Sequence, residues 1–600
     1  MLAGRLRKPL IAQVAMLGFI FLVAAWLRVE SHNWDEEQHI NVDDLAVTKV
    51  ALKRVNLPPD TSLSTLFDPQ ESPINPRADG AYFVYGAFPL YLVKTVSSAI
   101  AGITRDSYFA GLSGLQQTGR VLAGLFDAIT ALLVFGIGAR LWGGWPGLVA
   151  SAFYALAVLP IQEGHFFISD PFMVTFTTAT LLCSVLFFQT RRVLFILLAG
   201  LCVGLAMACK FSAAPVVVLP LSVVLMRALV KGEGDGQKVA WGRAFAWTGM
   251  ALGGAFLGLF VGDPFALLDA PTYLAQLGEE ARIQSGAIDV WFTRKYVGTW
   301  PVVHLGVQMV LLGAGPLVGL AGMAGIGVVA TRVWAQRRLV EALLLVGMGV
   351  YFAVISLLET RWVRYFLPLV PYLCLFATAF GFWIYERAAQ RGMRPIWRGA
   401  ALAMLLVSAL LGAVAVNSIF RSEHTQLKAS RWVFNNVPPG SRIGIEKTAL
   451  EMPLPLPEYE ERRKEYSLVS MDPMADLPSQ EVADTLHAQL RDVDYLILDA
   501  TQAAGTVRHL SWRYPVQIRY YDLLLSGQLG FSVALYSTSY PRIGNLQIPD
   551  DGGWVDPSFM DSSHPPIWVL KKERDLSDGE WAALFAEAVK QPSVASRRRP

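Results

Sequence analysis

The stretch HNWDEEQHINVDD, residues 32–44, gathers Asp35, Glu36, Glu37, Asp43 and Asp44 around His39, directly after the first long apolar run of the chain. A carboxylate held at such an edge can deprotonate a hydroxyl presented to it, the part of a general base. Asp35 and Glu36 are the candidates for that role. In a helix, Asp35, His39 and Asp43 recur every four residues and share one face. The same three could then hold a divalent metal. The plainer reading makes Asn33 a helix cap with Glu36 three positions on, a capping box whose acids suit the positive end of the helix dipole. A further acid lies in EGHFFISDPF (163–172), where Asp170 before Pro171 reads as a helix N-cap, with Glu163 and His165 nearby.

The cations are placed as unusually as the acids. Short external loops of membrane proteins avoid Lys and Arg. Yet ACKFSAAP (208–215) carries Lys210, and ETRWVR (359–364) carries Arg361 and Arg364. A cation at the membrane needs a partner. Glu359 could pair with Arg364, or the partner could be a lipid phosphate, because Arg forks and Lys point charges both hold phosphate well. Acids and cations on one face would make a base opposite a clamp for a phosphate leaving group.

The elements that must position these residues are mostly apolar helices. The 600 residues are 53% hydrophobic and 16% charged with a mean hydropathy of +0.40, a membrane composition. A helix needs roughly 20 apolar residues to cross the hydrocarbon. By that measure spans are expected near 9–27, 119–139, 145–161, 171–189, 193–209, 212–229, 243–262, 312–331, 339–358, 363–384 and 399–418, about eleven. The first is read as a retained span rather than a signal peptide, with Arg5, Arg7 and Lys8 keeping the N-terminus cytoplasmic.

Residues 81–102 are also long enough to cross, but charge parity argues otherwise. If they stay interfacial on the outer side, the loops around Arg191, Arg227, Arg337 and Arg387 are all cytoplasmic, as the positive-inside rule prefers. The loop 28–118, with its interfacial helices, the turn 163–172, the Lys210 hairpin, the loop 263–311, the turn 359–364 and the chain after about 419 then share the outer face.

Residues 1–420 are thus expected to form a polytopic α-helical domain. The C-terminal part, 421–592, reads as an extracytoplasmic α/β domain. Strands are expected at 442–447, 494–500, 531–538 and 566–572, and helices at 480–493 and 579–590. The tail 593–600 and the loop KGEGDGQK (231–238) read as disordered and solvated.

Several classes are set aside by composition. A net charge of +3 with no basic-aromatic stripe offers nothing to nucleic acid. The four cysteines, Cys183, Cys202, Cys209 and Cys374, lie in apolar runs with no zinc spacing. No P-loop or dinucleotide glycine fingerprint occurs.

The order of five segments carries a family resemblance. NWDEEQH, SPINPRADGAYFVYGAFPLYLVK, GHFFISDPFMVTFTTATL, GLAMACKFSAAPVVVLPL and RWVRYFLPLVPYL resemble, in sequence, motifs of the GT-C superfamily of polytopic glycosyltransferases, in its protein O-mannosyltransferase and aminoarabinose-transferase-like branch. The resemblance covers the chain to about residue 420. It implies transfer of a sugar from a polyprenyl-phosphate-linked donor to a lipid, glycan or protein hydroxyl outside the plasma or inner membrane, with inversion. Asp35 would be the base with Glu36 beside it. Lys210 and Arg361 or Arg364 would contact the donor phosphate, and Asp170, with His165 near it, would place the acceptor or a cation. No cofactor is required, although a divalent metal is compatible. A secondary transporter or flippase is the alternative of another class, but the polar residues here sit at span ends rather than mid-bilayer, and no repeat is visible.

Overall fold

The computed structural model describes residues 2–56, 58, 60–229, 241–446, 452–475, 477–508 and 510–591. The loop 231–238 and the tail 593–600 therefore lie outside the described residues. Two compact units emerge. One comprises Met1–His32, Asp43–Arg282 and Pro301–Asn417; the other comprises Asn33–Val42, Ile283–Trp300 and Ser418–Pro600.

The first unit is built from apolar helices. Among the described residues nine are long and apolar enough to cross a bilayer: Leu10–Val29, Leu112–Trp142, Ser169–Thr190, Phe211–Leu229, Trp241–Gly262, Pro316–Gln336, Leu339–Ser356, Val363–Gln390 and Ala400–Asn436. The protein is a multi-pass membrane protein with a sheet-bearing C-terminal domain. Two of the eleven expected spans are shorter than anticipated. The helix Gly144–Ala155 stops before Val158–Glu163 begins, because Ala157 is extended and Pro160 fits only in the first turn of a new helix. Val193–Met207 has 15 residues, a rise of roughly 22 Å. The segment 81–102, expected at the interface, enters the helix Phe88–Thr104, 17 residues long, which runs two residues past it.

Small residues set how closely these helices approach. Val193–Met207 and Trp241–Gly262 meet through Gly200, Gly204, Gly254 and Gly258, the small-xxx-small spacing of membrane helix pairs. A Cβ at Gly204 would stand 2.0 Å from the Ala255 carbonyl oxygen, and one at Gly258 2.2 Å from that of Leu201. The contact fixes a polar residue just beyond each helix, Lys210 past the first and Asp263 past the second.

Asp263 in turn anchors the 77–88 loop. Arg77 donates to both Asp263 oxygens at 3.0 and 3.3 Å, and to the Phe83 and Tyr85 carbonyls at 3.1 and 2.8 Å. Gly86 then donates to the Cys209 carbonyl at 3.0 Å, where a side chain would collide with Ala208. The Arg77–Asp263 pair is fully buried, so removing one partner strands the other. Arg77→Ala is expected to cost about 3–5 kcal/mol. The check is the midpoint of heat-induced loss of the monodisperse peak on size exclusion in detergent, beside wild type.

The second unit carries a five-stranded sheet in the order Ser467–Met471, Arg442–Glu446, Tyr495–Asp499, Ile567–Lys572, Phe531–Ser537. The first three are parallel; the last two run antiparallel to their neighbours. Four of these strands are those expected. The fifth, Ser467–Met471, is a half-buried edge strand whose apolar pattern is correspondingly weak. Ser479–Arg491 and Asp578–Lys590 are helices, the latter opened by a capping box between Ser577 and Glu580. Leu486, Leu496, Tyr520, Trp581 and Phe585 belong to the core of this unit.

Candidate functional site

In the first unit, cations and acids from distant parts of the chain meet. Lys210 comes directly after the short helix and its turn, and its ammonium donates to both oxygens of Asp170 at 2.9 and 3.1 Å. Asp170 is buried and sits in the first turn of Ser169–Thr190. The cap of that helix is Ile168, so Asp170 stands two places further in than the sequence suggested and its carboxylate faces Lys210 instead of closing the helix end. Arg364 pairs with Asp43, in the first turn of Val42–Arg54. Tyr365 lies beside both cations, 4.9 Å from the Lys210 ammonium and 6.0 Å from the Arg364 guanidinium, measured to its ring centre. Arg364 also stacks on Trp362 at 4.2 Å, and Lys210 stands 5.7 Å from the Tyr85 ring.

Arg361 is buried and approaches Glu359 at 3.6 Å, so Glu359 serves Arg361 while Arg364 finds Asp43. Asp44, next in the chain, makes a fully buried pair with Arg120 at 2.7 Å. His165 is also buried, its ring nitrogens 2.7 and 3.0 Å from the carbonyls of Ile161 and Glu30. Burial holds its pKa down at about 4, so near neutral pH its ring carries no charge.

Glu163 carries more than its place in the sequence suggested. It ends Val158–Glu163 and is 3% exposed. Burial pushes its carboxyl up to about 8; Arg364 and Lys210 pull it down, while Asp170 and Asp43 push it further up. Near neutral pH it is therefore a neutral acid within reach of both ion pairs. Its raised value links folding to pH. Below the ordinary 4.5 the group is protonated whether the chain is folded or not. Between 4.5 and about 8 only the unfolded chain ionises, so folding stability falls as pH rises and levels off above about 8. Glu163→Gln is expected to flatten that fall, read as unfolding midpoint against pH.

The first acidic motif takes a different form from the helix the sequence allowed. Glu36, Glu37 and His39 have φ of 50°, 62° and 54°, left-handed values that a right-handed helix cannot contain. Residues 30–38 form turns, and the helix starts at Val42. Asp35, His39 and Asp43 thus do not line one helix face. Among the described residues no group of three or more His, Cys, Asp and Glu side chains gathers as a metal site. Asn33 accepts from the Glu37 amide at 3.1 Å, closing a turn rather than a capping box.

Asp35 and Glu36 belong to the second unit. Asp35 is fully buried and accepts from the Ile40 amide at 3.2 Å. Trp34 packs edge-on against Phe420 at 6.0 Å, fixing the turn. Glu36 is exposed and pairs with Arg431 at 2.5 Å; Arg431 also holds Glu423 at 2.6 Å.

Residues 110–253 match the family model described as dolichyl-phosphate-mannose-protein mannosyltransferase. In that stretch the chain is similar to a glycosyltransferase family. The matched segment contains Glu163, Asp170 and Lys210 and ends before Arg361 and Arg364. No curated protein matches the chain. Among solved structures, the oligosaccharyltransferase of Archaeoglobus fulgidus in its apo form is 14% identical with a TM-score of 0.46, covering 85% of this chain and 72% of that one. ArnT from Cupriavidus metallidurans in the apo state is 12% identical with a TM-score of 0.45, covering 94% and 98%. The same ArnT bound to undecaprenyl phosphate is 12% identical with a TM-score of 0.42, covering 93% and 97%.

Proposed function

We propose that this protein is a GT-C-type membrane glycosyltransferase that moves a sugar from a polyprenyl-phosphate donor to an acceptor hydroxyl at the outer membrane face, inverting the anomeric carbon. One observation carries the reading. Within a segment similar to mannosyltransferases that use a lipid phosphate, Lys210 and buried Asp170 form an ion pair, and beside it, from outside that segment, Arg364 and Asp43 form a second, with neutral Glu163 near both.

In this reading Asp35, with Glu36 beside it, takes the acceptor proton. The hydroxyl oxygen attacks the anomeric carbon as its bond to phosphate breaks, and the bonding pair leaves on the phosphate. Lys210, Arg364 and Arg361 receive that growing charge, so no general acid is needed. Asp170 holds the Lys210 ammonium in place. The acids balance the cations before the donor arrives, and a protonated Glu163 keeps the cluster from turning negative. The donor KM is therefore expected to rise at least about tenfold as pH passes 8, because a like charge then faces the phosphate. Glu163→Gln should remove that rise.

The test uses purified full-length protein in liposomes with an envelope lipid and glycan extract. A lipid-monophosphate sugar should be consumed, and lipid phosphate should appear in step with a glycosylated acceptor. Consumption of a nucleotide sugar with the lipid donor untouched would sink the proposal.

A further inference from the structure

The first unit holds a polar cavity that the transfer reading does not use. Its volume is about 840 Å³, and it opens between the C-terminal ends of Leu112–Trp142, Pro316–Gln336 and Val363–Gln390. Trp142, Arg332, Arg338, Trp383 and Arg387 line it. Arg338 is already engaged by Glu341 at 3.3 Å, and the Trp142 indole donates to the same acid at 3.0 Å. Arg387 stacks on Trp383 at 5.4 Å and has no ion pair among the described residues.

Arg332 is the decisive residue. It is 8% exposed, lines the cavity, and has no ion pair and no side-chain hydrogen bond among the described residues. A guanidinium cannot shed its charge, so a buried one without an anion is costly. Cations near helix C-termini do complement the dipole, and this accounts for Arg387 in the last turn of its helix. Arg332, one turn inside Gln336, reaches no terminal carbonyl and gains little from it. Glu386 is the acid lining the cavity, and it forms no ion pair with any of the three arginines. Arg332 thus has no counter-anion among the described residues and turns its charge into the cavity.

The level of the cavity suggests the source of one. Indoles collect where a bilayer meets water. Trp142 and Trp383 line the site, and the neighbouring Trp145 and Trp334 are exposed. That is the depth of lipid head groups, and basic pockets between spans at that depth take phospholipid phosphates. We infer that this cavity binds the phosphate of an anionic phospholipid, with Arg332 as its principal ligand and Arg387 as a second. On the sidedness read from charge parity it faces the cytoplasmic leaflet. The inference stands whether or not the transfer reading holds.

The experiment compares full-length wild type, Arg332→Gln and Arg387→Gln in nanodiscs of phosphatidylglycerol or phosphatidylcholine. Retained lipid is read by native mass spectrometry and the unfolding midpoint by intrinsic fluorescence. Wild type should retain phosphatidylglycerol over phosphatidylcholine by about tenfold and melt higher in it, the scale of one charge-assisted hydrogen bond. Arg332→Gln should lose the preference and the shift while melting no lower than wild type in phosphatidylcholine, since an unpaired buried charge has been removed. Arg387→Gln, at an exposed position, should lose part of the preference and remains informative if Arg332→Gln does not fold. Equal retention of both lipids by wild type would overturn the inference, as would a preference left intact in Arg387→Gln. So would a midpoint raised equally by sodium phosphate in phosphatidylcholine discs, which would assign the cavity to a free anion.

Discussion

Asp35→Asn is expected to lower sugar transfer by about 10²–10⁴-fold, the contribution of a positioned general base, while leaving the protein folded. Asn keeps the size of the side chain and can still accept from the Ile40 amide through its carbonyl oxygen, so that contact within the buried turn is retained. What it loses is the ability to take a proton. Glu36→Gln makes the contrast. Glu36 is exposed and its pair with Arg431 is solvated, with Glu423 holding the same guanidinium. Solvated pairs contribute about 0–1 kcal/mol, so this variant should keep transfer within a few-fold of wild type. Initial rates with a saturating lipid-phosphate sugar, beside a size-exclusion profile of each variant, decide between them. Full activity in Asp35→Asn would remove the base from the mechanism. A collapse in Glu36→Gln with Asp35→Asn active would move the role one residue along.

What could be read in advance depended on whether a residue's meaning was local. The strands Tyr495–Asp499 and Ile567–Lys572 show as apolar runs bounded by turn residues, and a short-range pattern suffices to find them. Lys210 stands out because an ammonium in an apolar hairpin is rare, so its singularity is visible without its surroundings. Its partner is not, because Asp170 lies 40 residues away and reaches it only through tertiary packing. Glu163 is an ordinary acid in a turn until burial beside two ion pairs makes it neutral. The left-handed backbone at Glu36 and Glu37 is imposed by the fold, since glutamate has no preference for it, whereas His39 is of a type that enters that region more readily. Similarly, 283–300 reads as a loop between spans, yet it belongs to the second unit, where Lys295 pairs with Asp561 at 2.6 Å and Arg294 pairs with Asp289 and donates to the Tyr514 hydroxyl.

Removing the Lys210 charge should cost transfer about 10²–10³-fold, the scale of one preorganised donor to a developing anion. A simple Lys210→Met variant confounds two effects, however. It strands the buried Asp170 carboxylate, and breaking a buried pair costs about 3–5 kcal/mol of stability. Pairing it with Asp170→Asn removes both charges together, so the double variant should fold nearly as well as wild type and still fail to transfer. Arg364→Lys probes the second cation while keeping its charge. A lysine there loses the flat stack on Trp362 and the planar guanidinium that pairs with Asp43, so the donor KM should rise with a smaller change in kcat. The two cations would then divide the work, Arg364 holding the phosphate in the ground state and Lys210 meeting the charge as the bond breaks. Steady-state kinetics on the three proteins separate these roles. A double variant that turned over at the wild-type rate would take Lys210 away from the phosphate altogether.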